Sequence, residues 1–336
     1  MSNSIEAIKR FPFPFATDSY QYSVNIQPVV NQALFDVDEH YDLEVEQRNS
    51  TLNQGKEGRY VALPHMKDAQ WDALEVIMND LATWYPQSFS LTQNGDKVRR
   101  KSNCWTWENK KLNIKDTFTF LDESSLPCEP FEYIARQVQE DILLLDQREE
   151  DLFLDAGILM FPTRWSLGFD AGMSFEEFHG PVPRAHEMGV FKKAKAFLRR
   201  VEIGKPWTRR NWTMTVNRRL DTSFETYPEW GKDRSSVTLA NCGKKVHLRV
   251  EVQRFIRLPR SNALMFPIHT YLISLEELSI NPAWTKRLHE VLKNLQPDIL
   301  EYKGLSRYHK TVLTWLAQSN LEQPDTSNKY TFSRSL

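Results

Sequence analysis

His179 stands two residues before Pro181 in the string FHGPVP, the end of a stretch running from Phe161 to Pro183. Proline fixes φ and donates no backbone hydrogen bond, so Pro181 and Pro183 end any helix or central strand there and hold the imidazole at a defined exit point. A histidine presented in this way beside Phe175 and Phe178 suits an axial metal or haem ligand. Spacing alone leaves a capping or core histidine as the alternative. A second chemical pattern lies in Lys245 to Leu258, where Val246, Leu248, Val250 and Val252 alternate with His247, Arg249, Glu251 and Gln253. At strand period one face is apolar and the other charged. If the charged face meets water the charges cost little; if it lines a pocket they must pair with one another or with a ligand.

Other chemistries are excluded. Cys104, Cys128 and Cys242 are far apart, which leaves no disulfide framework, no zinc-ligand spacing and no cysteine-bound iron–sulfur cluster. No Gly-rich phosphate loop, nucleophile elbow or HExxH string is present. Lys plus Arg is 43 against 44 for Asp plus Glu, and a net charge of −1 offers no electrostatic case for nucleic acid or an anionic membrane. The opening residues lack an uninterrupted apolar h-region and no later apolar run could span a bilayer, so the expected location is cytoplasmic.

The elements that must position these residues follow from periodicity. The 336 residues accommodate one large domain or two smaller ones. Phe11 to Val30 alternates aromatic, proline and polar residues and reads as extended chain laid on a surface. A short helix is expected over Asp38 to Arg48, and a clear amphipathic one over Leu63 to Tyr85, with Trp71, Leu74, Ile77, Met78, Leu81 and Trp84 as a core stripe. His65 at its start reads as a surface group. Short strands are expected between Gln93 and Asp122, with the basic run Lys97 to Lys101 as a turn. Ile134, Val138, Ile142 and Leu145 predict a second helix over Pro130 to Asp146, with Gln139, Glu140 and Asp141 either solvated or in contact with the next strand. Leu152 to Trp165 reads as a buried strand and Glu187 to Val201 as a basic helix. Lys245 to Leu258 and Arg260 to Leu275 form a hairpin through a Pro-Arg-Ser-Asn turn, and helices over Pro282 to Leu295 and Ser306 to Leu316 precede a polar tail from Asp325.

Several ordered strings resemble the haem-dependent oxidative N-demethylases: VQEDILLL (138–145), AGILMFPTRW (156–165), FHGPVP (178–183), RRNW (209–212), LRVEVQRFIRLPRSNALMFPIHTYL (248–272) and EYKGL (301–305). The resemblance implies an α+β protein with a PAS-like mixed core, an antiparallel sheet flanked by helices, and an N-terminal extended segment. The corresponding division is a wrapping segment over 1–60, one haem-binding domain over 61–320 and a tail over 321–336. It implies haem b, O2, a small methylated secondary amine such as dimethylamine as substrate, formaldehyde as product, and electrons from a separate NADPH-linked flavin and iron–sulfur reductase.

Carried onto this chain, His179 becomes the axial iron ligand, and Arg164, Arg210 and Arg257 become candidates for the haem propionates, which a guanidinium fork can pair two oxygens at a time. Glu251 would hold the substrate ammonium or take its proton, and Tyr271 would orient it. The chain departs from the family pattern at Phe169-Asp170-Ala171-Gly172, where a basic residue and Ile-Gly are usual, and at His269, where arginine is more usual. Acidic Asp170 would favour a more cationic substrate. A PAS-type haem sensor of diatomic gas and a haem-free relative are the competing readings.

Overall fold

A computed structural model describes residues 8–20, 25–94, 103–184 and 187–322. The run Lys97 to Lys101, His186 and the tail from Asp325 lie outside the described residues. Among the described residues the strands are β1 (Gln27–Pro28), β2 (Tyr60–Ala62), β3 (Phe89–Asn94), β4 (Cys104–Asn109), β5 (Ile114–Thr119), β6 (Asp141–Arg148), β7 (Asp151–Ile158), β8 (Trp207–Val216), β9 (Val246–Arg257) and β10 (Leu264–Ser274). Seven form one sheet in the order β1-β8-β9-β10-β6-β7-β2, every pairing antiparallel, and β3-β4-β5 form a small second sheet. The architecture is therefore mixed α+β around a large antiparallel sheet.

The alternating stretch becomes β9, and the expected hairpin forms with β10 in a continuous register from Leu264↔Arg257 to Ser274↔His247. Its turn closes with Leu258 N–H on the Ala263 carbonyl at 2.9 Å and Asn262 at φ 58°. Asp72, on the Lys67–Trp84 helix, accepts the Arg260 and Ser261 amides at 3.0 and 2.7 Å and so pins the hairpin tip to that helix.

Side-chain parity sorts the sheet into two faces. On one face, Ile142, Leu144, Ile256 and Met265 pack under the Tyr41–Gln54 and Lys67–Trp84 helices, while Trp212, Leu248, Val250 and Ile273 pack under the C-terminal helices Pro282–Lys293 and His309–Glu322. Between these two apolar clusters the same face carries Arg254, His269 and Tyr271. On the opposite face, Leu143, Leu145, Phe255 and Leu264 pack against Phe175, Phe178 and Phe191.

One expected element is corrected. The helix after Pro130 ends at Ala135, and Asp141–Arg148 is the interior strand β6. Ile142 to Leu145 is a continuous apolar run buried on both faces, which is what a strand with neighbours on each side and layers above and below requires; the helical spacing was coincidental. Gln139, Glu140 and Asp141 are not solvated but buried, and Asp141 accepts the Met160 and Phe161 amides at 2.8 and 2.7 Å at the end of β7. The helix expected to end at Arg48 runs to Gln54, and Tyr41, Val45 and Leu52 enter the main core rather than a wrapping segment. Trp84 closes its helix 42% exposed, outside the core stripe.

Beyond the short pairing with β1, no described strand covers the outer edge of β8. That edge is closed by other means. Phe15 packs on Trp212 and Phe13 stacks on Trp284, with centroids 4.9 and 4.6 Å apart. Lys303 Nζ donates to the Trp212 carbonyl at 2.7 Å, and Thr213 Oγ1 donates to the Lys303 carbonyl at 3.1 Å.

Candidate functional site

His179 closes a one-turn helix, Phe175–Phe178, that starts from a capping box between Ser174 and Glu177. The helix stops there, and Val182 N–H turns back to the His179 carbonyl at 3.1 Å. Nδ1 lies 2.8 Å from the Phe175 carbonyl. A carbonyl only accepts, so Nδ1 carries the proton and the lone pair belongs to Nε2. The half-buried ring packs on Phe175, Phe178 and Phe191 at centroid distances of 4.3, 4.4 and 4.9 Å. This is a capped, aromatic-walled histidine, and it is also the tautomer and second-sphere bond that metal-ligating histidines use.

The charged face of β9 turns inward. Arg249 is fully buried; its Nη1 donates to the Leu220 carbonyl at 2.5 Å, its Nη2 to the Phe161 carbonyl, and its Nε to Glu251 at 3.3 Å. Glu251 also accepts from Thr163 Oγ1 at 3.2 Å, Asn211 Nδ2 at 3.2 Å and Gln253 Nε2 at 3.1 Å. The residues thus pair with one another, and the Phe161 to Trp165 segment lies over them. Tyr271 does not join this group. Glu251 pairs with Thr270 and Tyr271 with Val250, so the period of two sends Glu251 and Tyr271 to opposite faces, where Tyr271 donates to Asp36 Oδ2 at 3.0 Å. The two are not brought to one ligand.

The arginines also separate. Arg257 spends its donors on the carbonyls of Val201, Asn262 and Leu198 at 3.1, 2.6 and 2.8 Å, which fastens the basic helix region to β9. Arg164, at φ 52°, holds the Glu301 and Tyr302 carbonyls, both at 2.7 Å. Arg210 is exposed on the Trp212 face and donates to the Phe13 carbonyl at 3.2 Å.

Arg209 is the residue that the sequence reading passed over. It shares the Glu251 face, its side chain makes no hydrogen bond or ion pair among the described residues, and its Nε is buried without a partner. Burial pushes its pKa down, against the pull of Tyr20, Glu251 and Tyr302. The signal was present: the apolar residues Trp212, Met214 and Val216 share parity with Arg210, which assigns Arg209 to the other face.

Arg209 lines a cavity of about 740 Å³ at the outer edge of β8, together with Phe15, Tyr20, Asn211, Trp212 and Tyr271 among others. That volume is in the range of cofactor and small-molecule sites. Next to it Lys303 is enclosed, and burial lowers its pKa to about 8, with Glu251 opposing the shift. His179 is not among the lining residues. His65, about half exposed, lies 2.8 Å from buried Asp155, so it is a surface group in hydrogen-bond contact with that carboxylate.

Asp170 is buried on the Leu167–Asp170 turn, and burial alone raises its pKa to about 6. A carboxyl raised in the folded state contributes stability below its unfolded value that is lost as pH rises through about 6. Asp170→Asn is therefore expected to raise the thermal midpoint at pH 8, by about 1 kcal/mol of stability after solvent screening, and to change little at pH 4. Equal shifts at both pH values would refute the assignment. The amine-affinity comparison of the same variant tests the substrate expectation: unchanged binding removes Asp170 from substrate recognition.

Residues 25–313 match a protein-family model described as haem-dependent oxidative N-demethylase, alpha subunit-like.

Proposed function

The chain belongs to the haem-dependent oxidative N-demethylase, alpha subunit-like family, and from that premise we propose that it binds haem b and removes a methyl group from a small secondary amine such as dimethylamine. The overall change is N–CH3 plus O2, two electrons and two protons to N–CH2OH and water. The carbinolamine then breaks its C–N bond to release formaldehyde and the demethylated amine. Electrons come from a separate NADPH-linked flavin and iron–sulfur reductase, in keeping with three dispersed cysteines that offer no cluster site in this chain. The strand order β7-β6-β10-β9-β8, with helices inserted between β7 and β8, supports a PAS-like core.

The observation that carries the reading is Arg209, a half-buried arginine whose Nε is buried and whose side chain has no hydrogen-bond or ion-pair partner among the described residues, at the wall of a cofactor-sized cavity. Such a group fits a propionate carboxylate, because an unpaired buried cation is costly and a carboxylate satisfies the fork. His179, with its Nδ1 proton held by a carbonyl, fits an iron ligand through Nε2. Bound haem supplies the O2 chemistry that oxidises the methyl group.

The chain's own residues do the rest. Glu251 holds the substrate ammonium and takes its proton, since oxidation next to nitrogen requires the neutral amine. Asn211 and Gln253 keep that carboxylate oriented at 3.2 and 3.1 Å. Phe15, Tyr20 and Trp212 exclude water at the β8 edge. Among the described residues no helix is long and apolar enough to cross a membrane.

The test is a purified chain, its absorption spectrum, and formaldehyde measured against dimethylamine, O2 and a reductant. A Soret band with formaldehyde formed in step with amine consumed is the expected result. A Soret band without formaldehyde favours the gas sensor, and no Soret band favours the haem-free relative.

A further inference from the structure

The seam between the two apolar clusters gathers Asp36, Asp38, Glu44, Glu140, Arg254 and His269 from four separate parts of the chain. His269 is fully buried, with Nδ1 2.9 Å from Glu140 Oε1 and Nε2 3.3 Å from Asp38 Oδ2. Glu140 is also fully buried. Its Oε1 accepts the Asp36 amide at 2.7 Å, whereas its Oε2 is buried with no hydrogen-bond partner among the described residues. Asp36 Oδ2 is held by Arg254 Nη2 at 2.8 Å and by the Tyr271 hydroxyl at 3.0 Å, which leaves its other oxygen for a further partner. One donor atom from each of Asp36, Glu140 and His269 lies within 4.8 Å of the others.

We propose that Asp36, Glu140 and His269 form a binding site for a divalent transition-metal cation of the zinc class, built from residues other than those proposed to hold haem. One imidazole and two carboxylates are a ligand set that zinc accepts, and the orphaned Glu140 oxygen supplies a coordinating atom that nothing else satisfies. His269 ligates through Nδ1 while Nε2–H donates to Asp38, the carboxylate–imidazole–metal arrangement that orients ligating histidines. Gln139 Nε2 holds Asp38 and Glu44 at 2.8 and 2.7 Å and so fixes that outer carboxylate. Asp36, Arg254 and Tyr271 also line the 740 Å³ cavity, which provides an entry path.

The alternative is a metal-free clamp in which His269 is an imidazolium between Glu140 and Asp38. Two variants separate the readings. His269→Arg keeps a cation but removes the imidazole, and Glu140→Gln is isosteric; circular dichroism checks that each folds. The full-length protein, stripped with chelator, incubated with Zn²⁺ and desalted, is expected to retain about one zinc per chain by elemental analysis, counted separately from haem iron. Co²⁺ in place of zinc should give visible ligand-field bands. Both variants are expected to lose at least nine-tenths of the bound metal, and Glu140→Gln answers the question if His269→Arg does not fold. Zinc absent from the parent protein, or retained undiminished in a folded variant as an adventitious ion only, overturns the site.

Discussion

A His179→Ala variant is expected to purify with no more than a tenth of the parent's Soret absorbance, while keeping its far-ultraviolet circular dichroism. The fold should survive because the ring is only half buried, and its described contacts are the hydrogen bond to the Phe175 carbonyl and the packing on Phe175, Phe178 and Phe191. Those losses together are worth about 1–2 kcal/mol, which a domain of this size tolerates. Haem retention is another matter, because His179 is the residue proposed to hold the iron and a histidine ligand is a main anchor of a haem group. Added imidazole should restore part of the absorbance in the variant, a rescue that a purely structural histidine would not produce. Full haem occupancy in His179→Ala would sink the assignment and direct attention to the buried histidines His247 and His269.

The second large effect is expected at Glu251, where two substitutions separate structure from chemistry. Glu251→Ala removes the carboxylate beside fully buried Arg249 and leaves that guanidinium short of one partner in the interior. Breaking a buried pair in this way costs about 3–5 kcal/mol, so the thermal midpoint should fall by several degrees. Glu251→Gln keeps the shape and accepts hydrogen bonds at one oxygen from among Thr163, Asn211, Arg249 and Gln253. Its stability loss should be smaller, and its haem content unchanged. Formaldehyde formation in Glu251→Gln should nevertheless drop by about 100-fold or more, the usual scale for losing a positioned general base. A rising pH should recover part of that rate, because more of the amine is then already neutral. Activity within a factor of two of the parent would remove Glu251 from the chemistry and leave it as the partner of Arg249.

Local pattern determined much of this protein. Strict alternation in Val246 to Gln253 specified β9, and Pro-Arg-Ser-Asn specified its hairpin turn, because period and turn chemistry are properties of adjacent residues. The spacing of Trp71, Leu74, Ile77, Met78 and Leu81 specified the long helix for the same reason. Pro181 and Pro183 likewise foretold that the helix at Phe175 must stop at His179. The ordered motifs also carried the family, which the match over residues 25–313 bears out.

What only the tertiary structure decided depended on neighbours distant in the chain. Ile142 to Leu145 is a strand because β7 and β10 flank it, and no local spacing records those partners. Four arginines look equivalent as residues, yet Arg257, Arg164 and Arg210 are bonded to carbonyls that the fold delivers while the Arg209 side chain is left without a partner among the described residues. Parity along a single strand separates Glu251 from Tyr271, but it acquires meaning only when the layers on each face are known. Asp36, Glu140 and His269 stand more than a hundred residues apart in succession, and their convergence is a consequence of sheet order and loop docking. Periodicity reports how a segment will fold; which buried charge finds a partner is settled by the packing of segments against one another, and chemistry is expected where that packing leaves a polar group unmatched.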